Sequence, residues 1–278
     1  MGDKSYALLF VGSLALTANG SILLSIPKIK RPMSSVLLMT VSLCAADFCC
    51  TSVFLIVSCC QLAARDCLLL ETMGTGAVLT CILHLVSMSA YYWVAITKPL
   101  HYGLLLNKGR TKKVLTALWL TPQVLIVAAR VAVSNLQIYF SATIMLCSVS
   151  TVLVCVLHAQ VVTVLLRRRC RLASPHKRNY VTRAALTTAL HLTAFAAAWL
   201  PVCIVSLVEA GDLFRQHKAH TLHVLLPAAI FAKSFLNSLL YGIRNRQIKT
   251  AMATTFQSPM KKCIVKSSDG YQVISSLT

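Results

Sequence analysis

A chain of 278 residues that is 57% hydrophobic and 12% charged, with a mean hydropathy of +0.72, lacks the composition of a water-soluble domain. Soluble folds carry about 25% charged residues, so this chain has too little charge to cover a globular surface, which argues against a soluble enzyme or a secreted disulfide scaffold. The formal net charge of +20, from 27 Lys and Arg against 7 Asp and Glu, would mark a nucleic-acid footprint in a soluble protein; in lipid its meaning depends on where the charges sit.

A membrane span needs roughly 20 mostly apolar residues, and seven stretches reach that length. The first runs from about Tyr6 to Ile26; with Lys28, Lys30 and Arg31 behind it, it reads as a start-transfer helix rather than a cleavable signal. The second runs from about Ser34 to Ala63, the third from Cys67 to Ile96 and the fourth from Val114 to Val133. Only Ser134 to Gln137 separates the fourth from the fifth, about Ile138 to Leu166. The sixth covers about Ala184 to Val208 and the seventh Thr221 to Ile243. Beyond lies a tail, 245–278, whose segment 245–256 has the pattern of a short amphipathic helix on the membrane, followed by a Ser- and Lys-rich stretch expected to be disordered. There is no internal repeat and no room for a second domain. The expected fold is an all-α seven-transmembrane bundle over residues 1–244, with a cytoplasmic tail.

Twenty-one of the 27 basic residues fall after the first, third, fifth and seventh stretches. Basic residues stay on the cytoplasmic side, so the N-terminus is expected outside and the C-terminus inside. An inward basic rim is then what topology requires, and a nucleic-acid partner is not indicated. Eight of the 12 cysteines (Cys44, Cys49, Cys50, Cys59, Cys60, Cys81, Cys155, Cys203) sit in apolar runs, where a free thiol acts as a small hydrophobe.

Ionisable groups inside spans are costly and mark function by default. Asp47 in the second stretch and Lys233 in the seventh stand out. His84, His158 and His191 are weaker cases, since a lone histidine on a long span is more often a satisfied interior group. No metal-ligand spacing, nucleophile elbow, phosphate loop or paired carboxylates appear, so no enzyme activity, metal or cofactor is expected.

Asn19 in LTANGSILL, Asp47 in SLCAADF, Trp119 in TALWL, Phe195-Ala-Ala-Ala-Trp199-Leu-Pro201 and Asn237-Ser-Leu-Leu-Tyr241 occur in order, one set per stretch. Together they resemble the landmarks of rhodopsin-like (class A) G-protein-coupled receptors, and VAITKPLHY, ending at Tyr102, is similar to the start of the second inner loop of odorant receptors. The intervals agree, with 28 residues from Asn19 to Asp47, 25 from Cys67 to Tyr92 and 27 from Tyr92 to Trp119. The resemblance covers about residues 10–255. It implies a multi-pass receptor of the plasma membrane, orphan or chemosensory in type, that takes an extracellular small-molecule or peptide ligand and signals to heterotrimeric G proteins, with receptor homo- or heterodimers as further partners.

It also implies roles for single residues. Phe195, Trp199 and Pro201 would form the sixth-span hinge, with Asn237 and Tyr241 as further switch positions. A ligand pocket would be lined by Gly74, Val78 and Trp199; Gly74 stands where amine receptors carry Asp, so an amine ligand is not expected. Lys233, where the family usually has Asn, would pair with Asp47 and replace the sodium ion usual there; a Lys233 displaced toward a water cavity is the alternative. Cys67 would be half of an outer disulfide, for which Cys147 is the candidate partner, or a free thiol at a helix end. Cys263 is a candidate for palmitoylation or a plain tail cysteine.

The departures matter as much. The Asp-Arg-Tyr position, which faces the G protein, reads Tyr91-Tyr92-Trp93, the acidic partner at the base of the sixth span falls on Val181, and the proline of the last-span motif is Ser238. These favour a second reading, a degenerate receptor with weak or no coupling that serves as a scaffold or heterodimer partner. A seven-span transporter with Asp47–Lys233 as proton relay is a third reading, against which stands the lack of inverted halves.

Overall fold

The computed structural model describes residues 2–29, 33–63, 67–97, 107–133, 135–171, 190, 193–205 and 220–256. Among these, every regular element is helical: α1 (Gly2–Ser25), α2 (Ser35–Leu62), α3 (Leu68–Thr97), α4 (Lys108–Ala132), α5 (Leu136–Arg171), α6 (Thr193–Val205), α7 (His220–Arg244) and α8 (Arg246–Phe256), with a 3₁₀ turn at Ile26–Lys28. Six of them, α1 to α5 and α7, are long and apolar enough to cross a membrane, and α6 is a shorter apolar helix. The rest of the expected sixth stretch lies outside the described residues.

Short polar side chains set the helix starts. Ser34 Oγ accepts the Leu37 N–H at 3.2 Å at the head of α2, and Asn107 Oδ1 accepts the Arg110 N–H at 2.8 Å at the head of α4. Each satisfies a donor that the helix leaves orphaned. The Asn107 cap explains why α4 begins before the expected Val114: the basic run 108–113 is already helical. Asn135 caps α5 through the Ile138 N–H at 3.2 Å, and α5 continues past Leu166 to Arg171. At the junction of α7 and α8, Asn245 Oδ1 accepts from Gln247 at 3.0 Å and Ile248 at 3.2 Å, so one side chain ends one helix direction and begins the next.

Helix α3 occupies the middle, packed on α2, α4 and α5; α1 packs on α2 and α7, and α2 also touches α7. Helix α8 folds against α1 and α7, burying Ile248 and Ala251. One large core cluster joins Leu43 and Phe54 of α2, Ile82 of α3, Trp199 of α6 and Phe231 of α7. Large apolar side chains also cover the outside, among them Phe10, Val124, Val131 and Met145. In water such a surface would associate; in hydrocarbon it is the matching surface for a bundle whose helices are apolar on every side.

Candidate functional site

Asp47 lies midway along α2 and is fully buried. On α7, Lys233 and Asn237 lie four residues apart, hence on one helical face. Lys233 Nζ meets Asp47 Oδ1 at 2.5 Å, and Asn237 Nδ2 donates to Asp47 Oδ2 at 3.0 Å. Both carboxylate oxygens are thus satisfied by α7, and the Lys233 side chain is 4% exposed. A charge buried alone disfavours the folded state by several kcal/mol, and removing one partner of a buried pair costs about 3–5 kcal/mol. The pair therefore joins α2 to α7 at the middle of both helices, and losing either partner would leave the other charge buried alone.

Neutral groups extend this tie to α1. Ser234 Oγ accepts from Thr51 Oγ1 at 3.2 Å and donates to the Asp47 carbonyl at 3.5 Å. Asn19 Nδ2 donates to the Ser234 carbonyl at 3.2 Å and to Ala15 at 3.1 Å, while its buried Oδ1 has no partner among the described residues. Asn19, Asp47, Lys233 and Asn237 are thus brought together by the fold.

A second network runs beside it. His84 Nδ1 lies 2.8 Å from the Thr80 carbonyl, which only accepts, so Nδ1 carries the proton. The other nitrogen, Nε2, then accepts from Ser42 Oγ at 2.9 Å, and Ser42 Oγ accepts from Trp119 Nε1 at 2.9 Å. The chain thus links α4 through α2 to α3. His158 on α5 makes a simpler link: its Nδ1–H faces Ser89 Oγ at 2.6 Å and Val154 O at 3.1 Å, while Ser89 sends its proton to Leu85 O at 2.7 Å. His191 lies outside the described residues.

The remaining expected site residues are distributed as follows. Phe195 and Trp199 are buried with ring centroids 6.3 Å apart, and the buried Trp199 indole N–H has no hydrogen-bond partner among the described residues. Pro201 is on the exposed side of α6. Val78 belongs to the same core cluster as Trp199, whereas Gly74 faces α2, where a Cβ would stand 3.0 Å from Phe54 and 3.3 Å from Val53. Tyr241 donates to Met88 Sδ at 3.7 Å. At the far end of α3, Tyr91 donates to Thr111 Oγ1 at 2.7 Å, the Thr111 proton going to Asn107 O at 3.0 Å. Tyr92 and Trp93 pack on Val161 and Leu165 of α5.

Neither Cys67 nor Cys147 is in a disulfide. Cys67 immediately precedes α3, but Cys147 is eleven residues into α5 and packs on the core, about 16 Å along the helix at 1.5 Å per residue. Cys263 and Val181 lie outside the described residues. Ser42, Thr51, Ser89, Thr111 and Ser234 join these networks without having stood out in the sequence. No group of histidines, cysteines and carboxylates suited to a metal occurs among the described residues. Comparison with protein-family models returns no match, and comparison with curated proteins returns none either.

Proposed function

We propose that the chain is a rhodopsin-like seven-span receptor of the plasma membrane, with its N-terminus outside, its C-terminus inside and α8 as the eighth helix on the inner surface. It senses an extracellular ligand that is not an amine and signals to heterotrimeric G proteins. The observation that carries this reading is the buried tie of Asp47 to Lys233 and Asn237. It occupies the positions where the resemblance implies an ion-controlled switch, and Lys233 supplies the positive charge from within the chain. The Phe195–Trp199 pair stands at the matching place on α6.

A second reading, a receptor frame that no longer couples and acts as a scaffold or heterodimer partner, is favoured by the end of α3. Tyr92 stands where an arginine would reach for the G protein, and its ring packs on α5 instead. Nucleotide exchange on purified G proteins, with the chain in lipid discs, tests both. Ligand-dependent exchange across a panel of neutral small molecules is expected for the first; no exchange with any G-protein class, together with a receptor partner recovered by proximity labelling, replaces it with the second.

A further inference from the structure

Outside the bundle interior, helices α2, α3 and α4 enclose a cleft of about 180 Å³. Its walls are mainly Ala46 and Val53 of α2, Met73 and Ala77 of α3, and Trp119 of α4. Met73 is 48% exposed, so the mouth opens sideways, toward whatever surrounds the bundle. For a chain whose outer surface is apolar, that surrounding is bilayer hydrocarbon.

Thr80 and Gln123 bring polar atoms to this apolar cleft, and the Thr80 hydroxyl already donates to the Gly76 carbonyl at 2.9 Å. Gln123 of α4 is half-buried, and among the described residues its amide has a single long hydrogen bond, Nε2 to Thr80 Oγ1 at 3.4 Å. The fold makes room for it: a Cβ on Gly76 would lie 2.9 Å from Gln123 Cδ and closer still to Oε1. The amide is therefore seated on the bare backbone of α3, with donor and acceptor capacity left over. A carboxamide facing hydrocarbon without full hydrogen bonding is unfavourable, and a guest carrying one hydroxyl relieves it.

We propose that this cleft is a lateral binding site for a neutral, one-ring-sized molecule that reaches it through the bilayer and places a single hydroxyl on Gln123. The size fits, since an apolar cavity of about 150 Å³ accepts benzene. The lining excludes a phospholipid headgroup, because no Lys, Arg or His lines the cleft to hold a phosphate. The site does not depend on G-protein coupling, and it is separate from the Asp47–Lys233 pair.

Trp119 lines the cleft, so its fluorescence reports occupancy. The full chain in lipid discs is titrated with 4-bromobenzyl alcohol, and the Trp119 contribution is taken as the difference from Trp119→Phe. Saturable quenching is expected, with half-saturation at least tenfold lower for the alcohol than for bromobenzene. Gln123→Leu should remove that preference while leaving weak apolar binding. Ala77→Phe fills the cleft and should abolish the saturable phase; Val53→Phe fills it from the opposite wall and serves where the first variant loses helical circular dichroism. Quenching that rises linearly with bromide in the bilayer, that survives both filled variants, or that shows no preference for the hydroxyl overturns the proposal. So does saturable quenching by phospholipids with brominated chains that the alcohol fails to displace, which assigns the cleft to an acyl chain.

Discussion

At Asp47 the decisive quantity is the energy of leaving one charge behind. Lys233→Ala removes the ammonium but keeps a buried carboxylate held by Asn237 alone, and a loss of about 3–5 kcal/mol is expected. Asp47→Asn with Lys233→Asn removes both charges and leaves amides able to bond one another and Asn237, so the double variant should recover most of that loss. Thermal unfolding in detergent reads both, and a double variant no more stable than Lys233→Ala rules out the pair as the stabilising unit. Because Lys233 already neutralises Asp47 at 2.5 Å, replacing choline with sodium should not move the wild-type melting temperature. The two residues are legible in the sequence because each is costly alone in an apolar stretch and only pairing makes both tolerable. Ser42 is not legible in this way. Serines and threonines on spans commonly bond the carbonyl four residues back, as Ser13, Thr17 and Thr40 do here, and nothing in the sequence separates those from the one that links His84 to Trp119. Ser42→Ala strips His84 Nε2 of its donor and Trp119 Nε1 of its acceptor at once. A loss of about 1–3 kcal/mol is expected, and a larger shift than for Thr40→Ala in the same melt checks it.

Among the elements, α1 is held by how closely its backbone approaches its neighbours. A Cβ at Gly12 would stand 2.6 Å from Leu55 Cδ2 and 3.0 Å from Phe231, so glycine is what lets α1 touch both α2 and α7. Gly12→Val should push α1 away and destabilise by about 1–3 kcal/mol, as overpacking does. Gly109, in the exposed first turn of α4, has nothing nearer than 3.5 Å; Gly109→Ala should stabilise by about 0.5–1 kcal/mol through the unfolded chain. The opposite signs, measured side by side in one unfolding experiment, test whether α1 is seated as described. The existence of these helices is plain in the sequence, because runs of some 20 apolar residues have few other uses, but their ends are not, since α4 starts at Lys108 and α5 runs to Arg171. Their facing is obscure. Ile126 is buried while Val124 and Leu125 beside it are exposed, and where lipid replaces water the same side chains suit both sides. The glycines and polar residues carry the only directional information, which is why Gly74 is found against Phe54 rather than toward α6.

For the molecule as a whole, span count and orientation rest on different physics. Six helices long enough to cross are present among the described residues, and the basic residues gathered after alternate stretches favour one orientation in the membrane. On the receptor reading, output would depend on the end of α3, where the sequence has Tyr91-Tyr92-Trp93 and no charge. Tyr91 is committed to Thr111 on α4, and Tyr92 and Trp93 lie against Val161 and Leu165 of α5. Three aromatic side chains thus join α3 to both neighbours by hydrogen bonding and packing, in place of a mobile cation available to a partner. On the same receptor reading, the basic residues from Arg167 onward would still attract an acidic partner electrostatically. Tyr92→Arg restores a side chain long enough to reach from α3 into such a partner, and it removes a ring from the contact with α5. On the receptor reading, G-protein activation in a cell reporter should rise several-fold above the wild type, with surface expression matched by an N-terminal epitope. A wild type that already signals as strongly as the variant shows that coupling does not need the cation and overturns the account of weak output; equal silence of both assigns the chain to the non-coupling alternative.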